Sequence, residues 1–525
     1  MKKTMKQHSF ATRLKSLALV FGIALTFASC ANEDIAQNPN GTDNNKNFTI
    51  FSTGDPATRT SMESNGAFYW EAGDKIWVKD DNGTWQQSSN APTEKTASFK
   101  FEVPGKFTKT STYKVYYPGQ NGNQNQVTIA ANQSQAEPNT TAHFGTSGDC
   151  GMADAAWSNT KNGFAFALDH KAAYLLFLPR TSNTILHDCY LTKVEVNSDN
   201  DITSTYTLDP TTGKLTGTGT GKQITISTGG SGTYANGFPL TNNATSAATN
   251  GAYVVIKPGT HTLKVRYWVK DVATHVEGTI TKTLASATYD QNKYYDITAN
   301  LDIKNYDGDH YYMWDAQEQY WKGYEWTKNL GAGVGQPTQN GNSSSNYAQN
   351  ISDTNHRWYN EGGTSGRFEA TQSCVSLPNA NEMTWYAGAG DPRWDKDELW
   401  TTMGHLYKGG VWFKKKANIS GYNANYAIDG NDWRRMANAR SWNLSYSLPS
   451  AADAGNYFYL PALGFYSSGQ LYYVGDWGYF WSSSAIPYTS NLAYVLGFGR
   501  SFGVGIISVQ NSNVRSTGFR VGAFE

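Results

Sequence analysis

Charge is scarce in this 525-residue chain: 16 % of residues are charged, and the 43 basic and 43 acidic side chains cancel. With no excess of either sign there is no long-range field to draw the chain to nucleic acid or to an anionic membrane. Cysteine is almost missing, at four residues. Besides Cys30 there are Cys150, Cys189 and Cys374, with no CxxC and no Cys/His cluster, so nothing indicates a structural metal. An exported chain could pair two of the three and leave one over. The nine histidines are scattered and form no HExxH. No GxSxG, P-loop or dinucleotide fingerprint stands in a credible setting, which removes the common hydrolase and nucleotide-binding classes. Long apolar runs are also lacking, apart from Leu17 to Phe27, which is shorter than the ~20 residues a spanning helix needs.

That run belongs to a leader. Lys2, Lys3, Lys6, Arg13 and Lys15 precede it, and Phe27-Ala28-Ser29-Cys30 follows, with small residues just before a cysteine. The order predicts a lipoprotein signal peptide over residues 1–29, with Cys30 the lipidated first residue of the mature chain. Acyl chains then anchor it, at roughly 0.8 kcal/mol per buried CH2. An ordinary signal peptide that happens to contain a cysteine is the plainer alternative. Glu33 and Asp34 resemble the surface-export signal of Bacteroidetes lipoproteins, which implies the outer face of the cell outer membrane. Residues 30–47 are polar and Asn-rich and read as a flexible tether.

What remains is long enough for about three domains. Aromatics are 14 % of residues and Gly numbers 51, a composition that suits short strands and many turns. Alternating or apolar runs punctuated by turn residues recur, as in Phe48-Thr49-Ile50-Phe51, Tyr113-Lys114-Val115-Tyr116-Tyr117 and Leu263-Lys264-Val265-Arg266-Tyr267. This spacing indicates β-sandwiches.

Ala57-Thr58-Arg59-Thr60 followed by Tyr69-Trp70-Glu71-Ala72-Gly73-Asp74-Lys75-Ile76-Trp77-Val78, and later His170-Lys171-Ala172-Ala173-Tyr174-Leu175-Leu176-Phe177-Leu178-Pro179, resemble the fimbrillin family of Bacteroidales. The resemblance implies two tandem transthyretin-like β-sandwiches, over 48–162 and 163–303, in a pilus subunit, pilus anchor or related surface lipoprotein. It also implies proteolytic removal of the first strand, whose groove a strand of another subunit then fills. Arg59 is the first candidate cleavage point and Lys46 the second; Arg59 read as a plain turn residue is the alternative.

From Asp307 onward tryptophans are frequent. Tyr457-Phe458-Tyr459-Leu460-Pro461-Ala462-Leu463-Gly464-Phe465-Tyr466, Gly478-Tyr479-Phe480-Trp481-Ser482-Ser483-Ser484 and Thr517-Gly518-Phe519-Arg520-Val521 resemble, in order, the Fibrobacter succinogenes major paralogous domain. This implies an α+β C-type-lectin-like domain over 304–525, with Leu377-Pro378-Asn379, Glu382 and Trp385 as its helix signature. The family often has a cysteine where Val521 stands, so Cys374 would lack its usual partner.

Most of these tryptophans are expected to pack a core with few regular elements, at least roughly two thirds of them. Trp481, in a strand-like run, belongs there. Trp394, Trp433 and Trp477 lie on Gly-rich segments and are candidates to stack on a sugar ring. Asp429, Asn431 and Asp432 in Asp429-Gly430-Asn431-Asp432-Trp433 are candidate ligand-binding oxygens. No cofactor is expected, calcium being the one cation that run could hold. Glu137-Pro138-Asn139 looks like a sugar-specificity tripeptide but falls in the first sandwich. Glu361 and Glu369 read as solvated carboxylates rather than a glycosidase pair. No catalytic residue is expected.

The expectation is therefore a lipid-anchored surface protein of mainly β fold, with membrane, pilus-subunit and glycan or protein partners. A pilus tip is favoured over a stalk, because the chain ends at Glu525 within a strand of the head and offers no donor segment. The alternative is a non-polymerising glycan-binding protein of a polysaccharide-uptake system.

Overall fold

Alternation in the sequence becomes strand throughout the computed structural model, which describes residues 5–9, 48–53, 61–62, 68–306, 308, 310–322, 347–348 and 369–525 except 451, 488, 490, 502–503 and 523. The strand Leu263–Asp271 shows the rule most plainly, since every second residue from Leu263 is buried, as a half-buried strand requires. The chain divides into two units: Met1–Val269 with Ile280–Asp302, and Lys270–Thr279 with Ile303–Glu525.

The first unit opens with an eight-stranded assembly in which Phe48–Ser52 lies between two neighbours. It pairs antiparallel with Lys100–Pro104 and parallel with Gly163–Ala165. Gly151–Ser158 turns the corner between layers: Gly151 to Ala155 pair with Tyr113–Tyr117, and Ala156 to Ser158 with Gly163–Ala165. Strands that switch sheets are how two layers close on one core. That core holds Phe51, Trp70, Ile76, Phe101, Val115 and Phe164, none with exposed surface.

The expected division between 162 and 163 falls inside a hairpin. Gly163–Ala165 and Asp169–His170 both pair back onto Gly151–Ser158, so the first sheet keeps the chain as far as His170. In the other direction Gln126–Thr128 pairs with Thr205–Leu208, and Asn132–Gln135 pairs parallel with Gln223–Thr228. Alternation fixes which face of a strand is buried but not which strand lies beside it, and these exchanges therefore left no trace in the run-by-run reading.

A second pair of layers follows. Ala173–Arg180 lies between Lys293–Asn300 and Ala252–Ile256, while Cys189–Ser198, Gln223–Thr228 and Leu263–Asp271 build the facing sheet. Phe177 and Tyr267 meet between the layers, ring centroids 6.1 Å apart. The Ala252–Ile256 strand ends its sheet, and two glutamines complete its outer edge. Gln133 Nε2 donates to the Val255 carbonyl at 2.8 Å and Gln135 Nε2 to the Gly251 carbonyl at 2.8 Å. Their Oε1 atoms accept from Val255 N and Tyr253 N. Buried backbone groups must be paired, and here side chains do what a further strand would.

The second unit carries a four-stranded sheet ordered Asn305–Tyr306, Arg393–Thr402, His405–Lys414, Tyr457–Pro461, and a larger sheet centred on Trp477–Ala485, Leu492–Ser501 and Val504–Val514. Its helix, Ala380–Gly388, starts with a capping box: Asn379 accepts from Glu382 N at 3.1 Å, and Glu382 accepts from Asn379 N at 2.9 Å. This reciprocal pair satisfies two of the donors a helix start leaves open. Cys150, Cys189 and Cys374 are buried and none is joined in a disulfide, so the pairing open to an exported chain is not made.

Candidate functional site

Trp394 and Trp433 are each 2 % exposed and belong to the core of the second unit. Neither presents a face to a sugar, which corrects the sequence expectation. Both sit where chain segments converge: Trp394 N donates to the Ser445 carbonyl at 2.7 Å, and Trp433 N to Asn381 Oδ1 at 2.8 Å. Trp314, Trp321, Trp400 and Trp481 are buried with them, whereas Trp385, Trp412, Trp442 and Trp477 are half-buried.

The Asp429 to Trp433 run is a self-satisfied turn. Asp429 Oδ2 accepts from the Trp433 indole at 2.9 Å and Oδ1 from Asn431 N at 3.0 Å. Asp432 caps the short helix Trp433–Arg435 and accepts from Asn381 Nδ2 at 2.9 Å and Arg434 Nε at 2.7 Å. Burial raises the pKa of both carboxyls, and the donors aimed at them outweigh it, leaving both below the usual carboxylate range. Their oxygens are taken up by protein donors, and Asn431 is exposed beside them. Among the described residues no group of three or more His, Cys, Asp or Glu is placed to hold a metal ion.

Asn139, in the tripeptide singled out above, takes a left-handed φ of 58° and accepts from Tyr253 Oη at 3.3 Å. This is a structural turn. Glu369 receives Ser483 Oγ at 3.3 Å and faces Arg434 at 4.0 Å. Glu361 lies outside the described residues, as do Cys30, Lys46 and Arg59.

Trp477 alone of the three candidate tryptophans keeps a solvent-facing side. Its indole lies flat on the neighbouring strand because position 499 is glycine; a Cβ there would come within 2.3 Å of indole Cδ2. The ring stacks on Tyr479 at 5.9 Å and 16°, and Tyr479 on Phe519 at 5.0 Å and 14°. Phe465 meets Tyr479 edge-on at 5.2 Å and stacks on Tyr473 at 5.9 Å and 27°. Tyr472 and Tyr473 are 36 % and 56 % exposed. Tyr472 Oη donates to Gln470 Oε1 at 2.7 Å. The tyrosines escaped the sequence reading because Leu471-Tyr472-Tyr473-Val474 looks like an ordinary apolar strand run. The turn residues Gly475-Asp476 just after them were the available signal.

No protein-family model matches this chain, and no curated protein matches it. Solved structures with some likeness include a candidate cell-adhesion protein of Bacteroides ovatus, at 13 % identity and TM-score 0.30 over 49 % of this chain and 93 % of that one. A fimbrial protein of Bacteroides ovatus aligns at 10 % identity and TM-score 0.26 over 90 % and 99 % of the two chains. The fimbrial anchor protein Mfa2 of Porphyromonas gingivalis aligns at 12 % and 0.21 over 45 % and 82 %. Likenesses of this size leave function to be argued from the chain's own residues.

Proposed function

We propose that this chain is an exported, lipid-anchored surface protein of the fimbrillin type that joins other subunits by strand complementation and displays its C-terminal unit as a pilus tip or adhesin. The observation that carries the reading is the place of Phe48–Ser52. This first strand after the tether is hydrogen-bonded on both sides, and it puts Phe51, with no exposed surface, against Phe107 at 5.1 Å and Phe164 at 5.0 Å. The two candidate cleavage points bracket it. A cut after Arg59 frees the strand together with the lipid anchor and leaves a two-sided slot, whereas a cut after Lys46 leaves the strand in place. A slot of that kind binds an extended segment through main-chain hydrogen bonds and selects its register through the pocket for one aromatic side chain.

Met5–Ser9 fits the same logic. These residues pair antiparallel with the outer edge of Lys293–Asn300, from Met5 opposite Ile297 to Ser9 opposite Lys293. They fall within the expected signal peptide, so a chain processed at Cys30 exposes that edge to another strand. The test is expression of the Arg59→Ala, Lys46→Ala double variant in a surface-assembling host. Loss of high-molecular-weight ladders is expected; unchanged ladders contradict cleavage-driven assembly. The exposed tyrosines beside Trp477 favour one second reading, a glycan-binding surface protein that does not polymerise.

A further inference from the structure

We infer that the aromatic shelf whose exposed members are the neighbouring rings of Tyr472 and Tyr473, joined to Trp477 through Phe465 and Tyr479 and with Asp476 in the turn, is a binding site for a neutral hexose polymer. The inference rests on the reading of the C-terminal unit as the ligand-binding part, and it names both the place and the ligand class. Three features separate this shelf from ordinary exposed aromatics. Tyr473 holds a left-handed backbone, φ 60°, a conformation costly for a bulky side chain and kept where surrounding structure enforces it. The Asp476 N–H to Tyr473 carbonyl bond, 3.1 Å, closes the turn that enforces it. The outcome is a phenol ring held outward, 56 % exposed, and braced from behind by Phe465.

The second feature is rigidity. Trp477 is seated on Gly499 and backed by the Tyr479 and Phe519 stack, so a ligand meets rings that lose little freedom on binding. The third is charge. Between Leu463 and Tyr479 the one charged residue is the exposed Asp476, and the exposed Arg500 follows Gly499 on the strand paired with Trp477, so the rim carries one charge of each sign. Flat rings take the apolar C–H face of a pyranose, and a carboxylate at the rim accepts its equatorial hydroxyls. With one charge of each sign at the rim there is no net field to draw in uronic or sialic acids or a basic peptide. Chemistry and charge together therefore select an uncharged hexose chain.

The test uses the full chain purified from membranes in detergent, titrated calorimetrically with cellohexaose, maltohexaose, galactohexaose and, as the acidic arm, hexagalacturonate. At least one neutral hexaose is expected to bind and the acidic one not to. Trp477→Ala and Tyr473→Gly should each weaken binding roughly tenfold or more, as truncating an aromatic anchor does. Glycine adopts the Tyr473 backbone without strain, so this variant keeps the fold, checked by an unchanged circular dichroism spectrum and melting transition. The inference is overturned if no neutral hexaose binds, if hexagalacturonate binds equally, or if both variants bind like the parent. Such a failure leaves the surface-protein reading standing, because the ladder assay scores that separately.

Discussion

Phe51→Ala in the uncleaved chain measures how strongly the first strand is held. Phe51 is fully buried and contacts Phe107, Phe164 and, at 6.5 Å, Tyr113. Truncating a core phenylalanine costs about 3–5 kcal/mol. Three aromatic neighbours that cannot all close on the hole place this site near the upper end of that range. Phe48, in the same strand and 43 % exposed, supplies the control: alanine there should cost under about 0.5 kcal/mol. Urea unfolding of parent and variants, followed by circular dichroism, gives the difference. A second arm uses the chain cut after Arg59. A peptide spanning Phe48 to Thr53 should restore stability, and the same peptide with alanine for Phe51 should not. If Phe51→Ala costs no more than Phe48→Ala, or both peptides rescue equally, the strand is not seated through its aromatic side chain and the slot argument fails.

Burial holds the His143 imidazole down from 6.5 to about 4, against a smaller opposing pull from the Tyr253 carbonyl that Nε2 meets at 3.0 Å. The folded chain therefore binds this proton less readily than the unfolded chain, and its stability is whole above pH 6.5 and falls as the pH drops toward 4. The loss is on the order of 2 kcal/mol, His143 being half-buried, and His143→Gln should flatten the melting-temperature profile over that window. Asn379→Ala removes one half of the capping box and should cost about 1 kcal/mol in urea unfolding, while Asn379→Asp keeps the cap acceptor but loses the Nδ2 donor to the Ala424 carbonyl and should fall between the parent and the alanine variant. Gly499→Val drives a side chain into the Trp477 indole; hexose binding should be lost while the near-ultraviolet dichroism of the buried tryptophans is kept.

Legibility followed the range of each physical signal. Period-two burial made Leu263–Asp271 readable as a strand, a short apolar run did the same for Phe48–Ser52, and the family resemblance that made Leu377-Pro378-Asn379, Glu382 and Trp385 a helix signature fell at the helix start. Strand order is a long-range property, so the exchange of Gln126–Thr128 and Asn132–Gln135 into later sheets could not be read. The same limit explains the site residues. A tryptophan on a glycine-rich segment looks alike whether the loop folds over it, as at Trp394 and Trp433, or beneath it, as at Trp477. Asp429 and Asp432 looked like free oxygens because their donors, the Trp433 indole, Asn381 and Arg434, are brought to them by the turn and the neighbouring helix. Tyr473 carried its signal in a backbone angle, which composition does not encode.

The most direct test is the N-terminus of the protein in surface assemblies, read by mass spectrometry, together with hydrogen exchange at Phe101 and Val103, which pair with Phe51 and Thr49. The account predicts chains beginning at Thr60, free of Phe48–Ser52, whose Phe101 and Val103 amides stay protected by an incoming strand. Assembled chains that begin at Cys30 and retain their own Phe48–Ser52 strand would contradict it.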